Sequence, residues 1–261
     1  FPPPPEFAAH ALVRDRSMWD EAEADYEAFW ARQARELLTW DEDFHTTLEW
    51  KLPYAKWFLG GKLNVSANCL DRHIAAGRGD RVAFYWEGEP GDTRIITYAD
   101  LHREVCKFAN VLKSLGLRTG DRIAIYMPMI PELPVAMLAC TRLGIAHSVI
   151  FGGFSPDAIS DRCNDADAKA IITADAGYRR GAPSPLKANV DIALADAPTV
   201  EHVIVVNRCN IDVEMKDGRD LWWHDLMATA SEDCPYEALD SEQLLYLLYT
   251  SGTTAKPKGK I

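Results

Sequence analysis

Four serine or threonine hydroxyls, two glycines and two lysines fall within eleven consecutive positions: Tyr249-Thr250-Ser251-Gly252-Thr253-Thr254-Ala255-Lys256-Pro257-Lys258-Gly259. Small residues let a backbone curl closely around a polyanion. Several N–H and O–H groups can then donate to phosphate oxygens, while Lys256 and Lys258 supply positive charge. The string follows an apolar run, residues 244–250, which reads as a buried strand. It is not a Walker A loop, because Pro257 stands where the second glycine of G-x-x-x-x-G-K-[ST] is required. No G-x-G-x-x-G is present, which disfavours a dinucleotide fold of that type. Taken singly, each of these residues more often belongs to a polar surface turn. The complete string after an apolar strand is far harder to explain that way.

The elements that must position this loop follow from periodicity and caps. Residues 17–40 predict one amphipathic helix, with Trp19, Tyr26, Phe29, Trp30 and Leu37 as a core-facing stripe. Residues 41–75 are irregular and aromatic-rich, ending in a short helix over 66–76. Residues 81–87 and 94–97 predict a hairpin. Thr97 and Asp100 form a capping-box pattern ahead of a helix whose face carries Leu101, Val105, Phe108, Leu112 and Leu115, with Gly116 as its stop. Strands over 122–126, 145–151, 170–174, 202–206 and 244–250 alternate with helices over 131–143, from Ser155-Pro156, over 186–195 and over 221–230. Short apolar strands alternating with helices predict an α/β fold: mostly parallel sheets flanked by helices, with a helical and irregular N-terminal cap. The expected divisions are a flexible Pro-rich start (1–16), an N-terminal region (17–79) and a partial α/β domain (80–261). The boundary near residue 80 is soft.

The chain has 261 residues, 48% of them hydrophobic and 26% charged, with a formal net charge of −11. Such a surface disfavours nucleic acid and anionic lipid as partners, so an anionic substrate needs a local basic site. No run is long enough to span a bilayer, and the first residues lack the regions of a signal peptide. A cytoplasmic location is expected. The absence of a starting Met suggests a missing N-terminus. The six cysteines, Cys69, Cys106, Cys140, Cys163, Cys209 and Cys234, contain no C-x-x-C pair. Reduced, mostly buried thiols are expected. No Ser/His/Asp set stands out, and His147 reads as a packed core histidine.

The eleven-residue string resembles the phosphate-loop signature of the adenylate-forming superfamily, Y-T-S-G-[ST]-T-G-x-P-K-G, with Ala255 in place of a glycine. Three further stretches narrow the resemblance to the AMP-forming acetyl-CoA synthetase family: residues 57–73 (Trp57-Phe58-Leu59-Gly60-Gly61-Lys62-Leu63-Asn64 onward), residues 126–133, and residues 147–155 (His147-Ser148-Val149-Ile150-Phe151-Gly152-Gly153-Phe154-Ser155). The resemblance runs over nearly the whole chain, about residues 15–261.

The resemblance implies that acetate attacks Mg-ATP to give acetyl-adenylate and pyrophosphate, and that the thiol of coenzyme A then displaces AMP. It implies ATP phosphate binding by Thr250, Ser251, Gly252, Thr253, Thr254, Lys256 and Lys258. It implies coenzyme A binding by Phe151, Gly152, Gly153, Arg179, Arg180 and Gly181. An aromatic face can stack on adenine, glycines allow close approach, and Arg179 can fork onto the 3′-phosphate. Ala182 stands where that family often has a second basic residue, leaving Arg180 or Lys187 as substitutes. On the residues alone, Phe151 reads equally well as the end of a core strand, and Arg179-Arg180 as a solvated pair. The acyl pocket, the Mg2+ ligand and the catalytic groups are expected beyond Ile261, so the isolated chain is expected to be inactive and aggregation-prone. The implied partners are acetate, ATP and coenzyme A, with deacylase regulation of the full-length enzyme. The alternatives are a propionyl-CoA or other short-chain acyl-CoA synthetase, or a non-catalytic module binding coenzyme A or nucleotide.

Overall fold

In the computed structural model, which describes residues 2–250 and 258–260, the chain divides into two units. One comprises residues up to Leu63 with Asp240–Glu242, the other Asn64–Leu239 with the segment from Gln243 onward. The first unit opens with α1 (Pro5–His10), α2 (Ser17–Ala24) and α3 (Tyr26–Leu37). The proline-rich start thus contains a helix, with Pro5 at its first position, although none of its residues is buried. The single helix expected over 17–40 is broken at Asp25. Its backbone is extended (φ −151°), and its carboxylate accepts from Ala28 N at 2.9 Å, which caps α3. Of the predicted core stripe only Phe29 is buried. The stretch expected to be irregular holds a hairpin, β1 (Thr46–Lys51) and β2 (Tyr54–Leu59), followed by β3 (Lys62–Leu63). Trp40, Phe44 and Phe58 pack there with centroids 4.9 to 5.7 Å apart.

The second unit begins with α4 (Val65–Cys69) and α5 (Asp71–Ala75), then the hairpin β4 (Val82–Glu87) and β5 (Thr93–Thr97). The predicted capping box forms: Thr97 Oγ1 accepts from Asp100 N at 3.1 Å, and Asp100 Oδ2 accepts from Thr97 N at 3.2 Å. It starts α6 (Tyr98–Ser114), which buries Leu101, Val105, Phe108 and Leu112. Then follow β6 (Arg122–Met127), α7 (Glu132–Arg142), β7 (Ala146–Phe151), α8 (Pro156–Ala166) and β8 (Ala170–Ala174). A hairpin that the sequence reading did not foresee, β9 (Ala176–Arg179) and β10 (Ala182–Pro185), precedes α9 (Lys187–Ala193), β11 (His202–Val206), β12 (Asp220–Trp222) and α10 (Trp223–Thr229).

Five strands form a parallel sheet in the order β12-β11-β8-β6-β7. Every residue of β8, Ala-Ile-Ile-Thr-Ala, is buried, as expected for a sheet covered on both faces. From β6 the chain steps outward to β7 through α7. It then crosses back through α8 to β8 and continues that way through α9. Right-handed crossovers in opposite directions place α7 on one face and α8 and α9 on the other. Consistently, α6 packs on α7, and α8 on α9.

The strand expected over 244–250 spans only Leu248–Thr250. Ahead of it, Tyr246 makes an isolated parallel bridge to His147, and Leu247 N donates to His147 O at 2.9 Å. A return strand, Lys258–Lys260, runs antiparallel to Leu248–Thr250 with Thr250 opposite Lys258. Among the described residues no helix is long and apolar enough to cross a membrane.

His147 is indeed in the core, 4% exposed, with no partner for Nδ1. Burial pushes its imidazole down to about 4. An unfolded chain takes up that proton near pH 6.5 while the folded one does not, so stability should fall as pH drops from about 6.5 towards 4, by up to about 3 kcal/mol. His147→Gln, measured by urea midpoints across that window in the full-length protein, should flatten the acid limb. An unchanged slope would refute it.

Candidate functional site

In an open α/β sheet, ligands sit outside the carboxyl ends of the strands, where neighbouring connections leave for opposite faces. Here that point lies between β6, whose connection runs to α7, and β8, whose connection runs through the β9–β10 hairpin to α9. The predicted glycine-rich and arginine-bearing segments leave from this same edge. Phe151-Gly152-Gly153 begins on the last residue of β7, and the arginine hairpin follows β8. The strand Leu248–Thr250 lies beyond a parallel bridge to β7, so it exits towards this edge as well.

Phe151 ends β7 but is not core: it is 64% exposed. A Cβ on Gly153 would lie 2.6 Å from Phe151 Cε1 and 3.0 Å from Arg179 Nη1. The ring and the guanidinium therefore both cover that glycine, and any side chain there would displace them. Two predicted segments distant in sequence, Phe151–Gly153 and Arg179, thus share one exposed surface. Buried Tyr126 fixes the loop beneath. Its hydroxyl is 3.1 Å from Gly152 O and 3.0 Å from Phe154 O, donating between them, and it accepts from Asn189 Nδ2 at 3.3 Å.

Arg180 and Gly181 form the two-residue turn of the β9–β10 hairpin, with φ of 55° and 80°. Two positive φ values match the twist of the flanking strands, which makes the glycine a requirement of the turn as much as of any ligand. Among the described residues no carboxylate pairs with Arg179 or Arg180, in a chain of net charge −11. An unpaired guanidinium beside an exposed aromatic ring is suited to a phosphate and a flat base. Ala182 faces Arg179 across the hairpin, so a basic residue there would stand directly beside it.

Lys187 is excluded as a substitute for that residue. It is 1% exposed, and its ammonium is bound to Asp191 at 2.7 Å, Asp220 at 2.8 Å and Glu214 O at 2.8 Å. A cation buried in this way is held by its partners and cannot leave them for a ligand.

Of the predicted phosphate-binding set, Thr250 and Lys258 sit opposite each other at the mouth of a hairpin. Ser251, Gly252, Thr253, Thr254 and Lys256 lie outside the described residues. One residue earlier, Tyr249 donates to Asp165 Oδ2 on α8 at 2.6 Å. Burial and that bond push its phenol above its ordinary value, so it stays protonated. The Arg162 guanidinium lies 4.6 Å from the Phe154 ring centroid and 5.2 Å from that of Tyr249. It thereby joins the strand Leu248–Thr250 to the glycine-rich loop after β7.

Sequence reasoning missed Arg162, Tyr126 and Asp175. Asp175 is fully buried, and its carboxylate accepts from the backbone N–H groups of Ala176, Arg208, Cys209 and Ile211 at 2.7 to 3.1 Å. It anchors the base of the arginine hairpin. The available signal was an acidic residue directly after a mostly apolar strand, where burial demands compensation. All six cysteines are free, four of them buried. Among the described residues no group of three or more His, Cys, Asp or Glu side chains could hold a metal ion.

Residues 71–260 match the family described as AMP-binding enzyme, and residues 15–69 match the acetyl-coenzyme A synthetase N-terminus. The chain is 55% identical to an acetyl-coenzyme A synthetase of Rubrobacter xylanophilus, over 99% of this chain and 40% of the relative. It is 58% identical to one of Mycolicibacterium smegmatis, over 99% of this chain and 28% of the relative. The solved acetoacetyl-CoA synthetase from Streptomyces lividans superposes with a TM-score of 0.86 at 26% identity, covering 97% of this chain and 39% of that one. The chain thus spans two fifths or less of the length of these proteins.

Proposed function

The chain belongs to the AMP-binding enzyme family, and from that footing we propose that it serves an acetate–CoA ligase, which activates acetate with ATP to acetyl-adenylate and passes the acetyl group to coenzyme A. The observation that carries the coenzyme A half is the Arg179 guanidinium, without a carboxylate partner among the described residues, lying with exposed Phe151 over Gly153. In this reading Arg179 takes the 3′-phosphate, Phe151 stacks on the adenine, and Gly152, Gly153, Arg180 and Gly181 shape the approach. Thr250, Ser251, Gly252, Thr253, Thr254, Lys256 and Lys258 hold the β- and γ-phosphates of ATP and help expel pyrophosphate. Both half-reactions move negative charge, so positioned N–H groups and cations contribute most to rate. Groups for the chemical steps and for Mg2+ are not assigned to this chain. The reading also takes residues 1–16 as a Pro-rich start, 17–79 as the synthetase N-terminal region and 80–261 as part of the adenylate-forming domain, in a cytoplasmic protein.

Acetate-dependent ATP–pyrophosphate exchange by the full-length protein tests it. Exchange faster with acetate than with propionate is expected. A clear preference for propionate would move the assignment to a propionyl-CoA synthetase. No exchange with any short acid, alongside retained coenzyme A binding, would leave a non-catalytic module, the outcome towards which Ala255 leans.

A further inference from the structure

The β4–β5 hairpin lies outside the parallel sheet, yet its tip reaches the arginine hairpin directly at one point and, through Arg208 in the segment after β11, at a second. Glu89 Oε1 accepts from Gly181 N at 2.5 Å. Asp92 holds Arg208 through two bonds of 2.8 and 2.9 Å. The Arg208 guanidinium in turn lies 5.0 Å from the ring centroid of Trp86 on β4 and 5.1 Å from that of Tyr178 on β9. Tyr178 and Gly181 bracket Arg179 and Arg180 in sequence, so one hairpin grips both ends of the arginine pair.

The grip answers a physical need. A hairpin of two four-residue strands is marginal on its own. Arg180, a non-glycine residue at φ 55°, adds backbone strain at the turn. A side-chain oxygen accepting from the turn N–H can hold such a turn in place. Glu89 bonds the backbone of the turn and pairs with neither arginine, which leaves the cations free for an anion.

We propose that the β4–β5 tip is a strut that sets the position of Arg179, with Glu89 as a positioning residue for recognition of the coenzyme A phosphate. This rests on the assignment of Arg179 to that phosphate. The strut should act on the coenzyme A half of the reaction and leave adenylation alone.

The test uses the full-length enzyme with Glu89→Ala, Glu89→Gln and Arg179→Gln. Three quantities are measured: KM for coenzyme A, KM for dephospho-coenzyme A, and ATP–pyrophosphate exchange, which needs no coenzyme A. Glu89→Ala should raise KM for coenzyme A about 3- to 10-fold, the worth of one such hydrogen bond, and shrink the preference over dephospho-coenzyme A by a similar factor. Exchange should stay within about twofold of the parent, and Glu89→Gln, which keeps a carbonyl acceptor, should stay near the parent in all three. Three results would overturn the strut while sparing the Arg179 assignment: KM unchanged in Glu89→Ala but raised in Arg179→Gln, an equal rise for both forms of the coenzyme, or a loss of exchange in step with KM. An Arg179→Gln enzyme with unaltered KM would overturn the assignment itself, and the strut with it.

Discussion

Replacing Arg179 with glutamine should raise KM for coenzyme A by roughly 10- to 100-fold while acetate-dependent ATP–pyrophosphate exchange persists. Hydrogen bonds to a charged group contribute about 1.5 to 3 kcal/mol, which sets that range. The side chain sits on an exposed hairpin, and no described carboxylate needs it, so its removal leaves no buried charge behind. The effect should therefore fall on ligand affinity and spare folding. It should also vanish with dephospho-coenzyme A, which lacks the phosphate that Arg179 is proposed to hold. A variant that loses exchange and coenzyme A affinity together would place Arg179 in the fold instead.

The opposite pattern is expected at Arg142, 3% exposed at the end of α7. Its guanidinium donates to Asp71 Oδ2 at 2.8 Å, Asp71 Oδ1 at 2.9 Å and Cys234 O at 2.7 Å. Arg142→Met should destabilise by about 3 to 5 kcal/mol, because it strands a partly buried carboxylate and a buried carbonyl. Replacing Asp71 as well, with leucine, should recover part of the loss, since an apolar pair no longer requires desolvated charge to be matched. Urea midpoints of the two variants give the comparison. A single-variant loss under about 1 kcal/mol would show that the pair is not a structural necessity.

The same cluster carries a pH window. Burial opposes ionisation of Asp71, but hydrogen bonds from Arg142 and His102 outweigh it and hold its carboxyl well below the usual range. The bond to Asp71, then that to Cys106, pushes His102 up to about 9. The contribution of His102 is complete below about pH 6.5 and is lost as pH rises through about 9. That of Asp71 is complete above its ordinary value and is lost on acidification below it.

Much of this protein is decided locally, and such features are legible without coordinates. The Thr97–Asp100 cap, the Ser155-Pro156 helix start, the apolar strand Ala170–Ala174 and the run of hydroxyls and lysines after Tyr249 each depend on a few adjacent residues. Local steric and hydrogen-bonding rules act on just that range. Apolar composition reports burial and not pairing, which is why the strand expected from 244 is hydrogen-bonded as a strand only from Leu248. A continuous aromatic period hid the break at Asp25, where a cap outweighed helix propensity.

What tertiary structure alone decided is which charges meet. Lys187 and Arg179 are both cations near one strand end, yet Asp191 and Asp220 neutralise the first and no described carboxylate reaches the second. Phe151 and Arg179 converge on Gly153 because a sheet sets the ends of β7 and β8 on one edge, with β6 between them. Charge pairing and burial depend on neighbours brought together from distant parts of the chain, and a sequence pattern holds no distance between them.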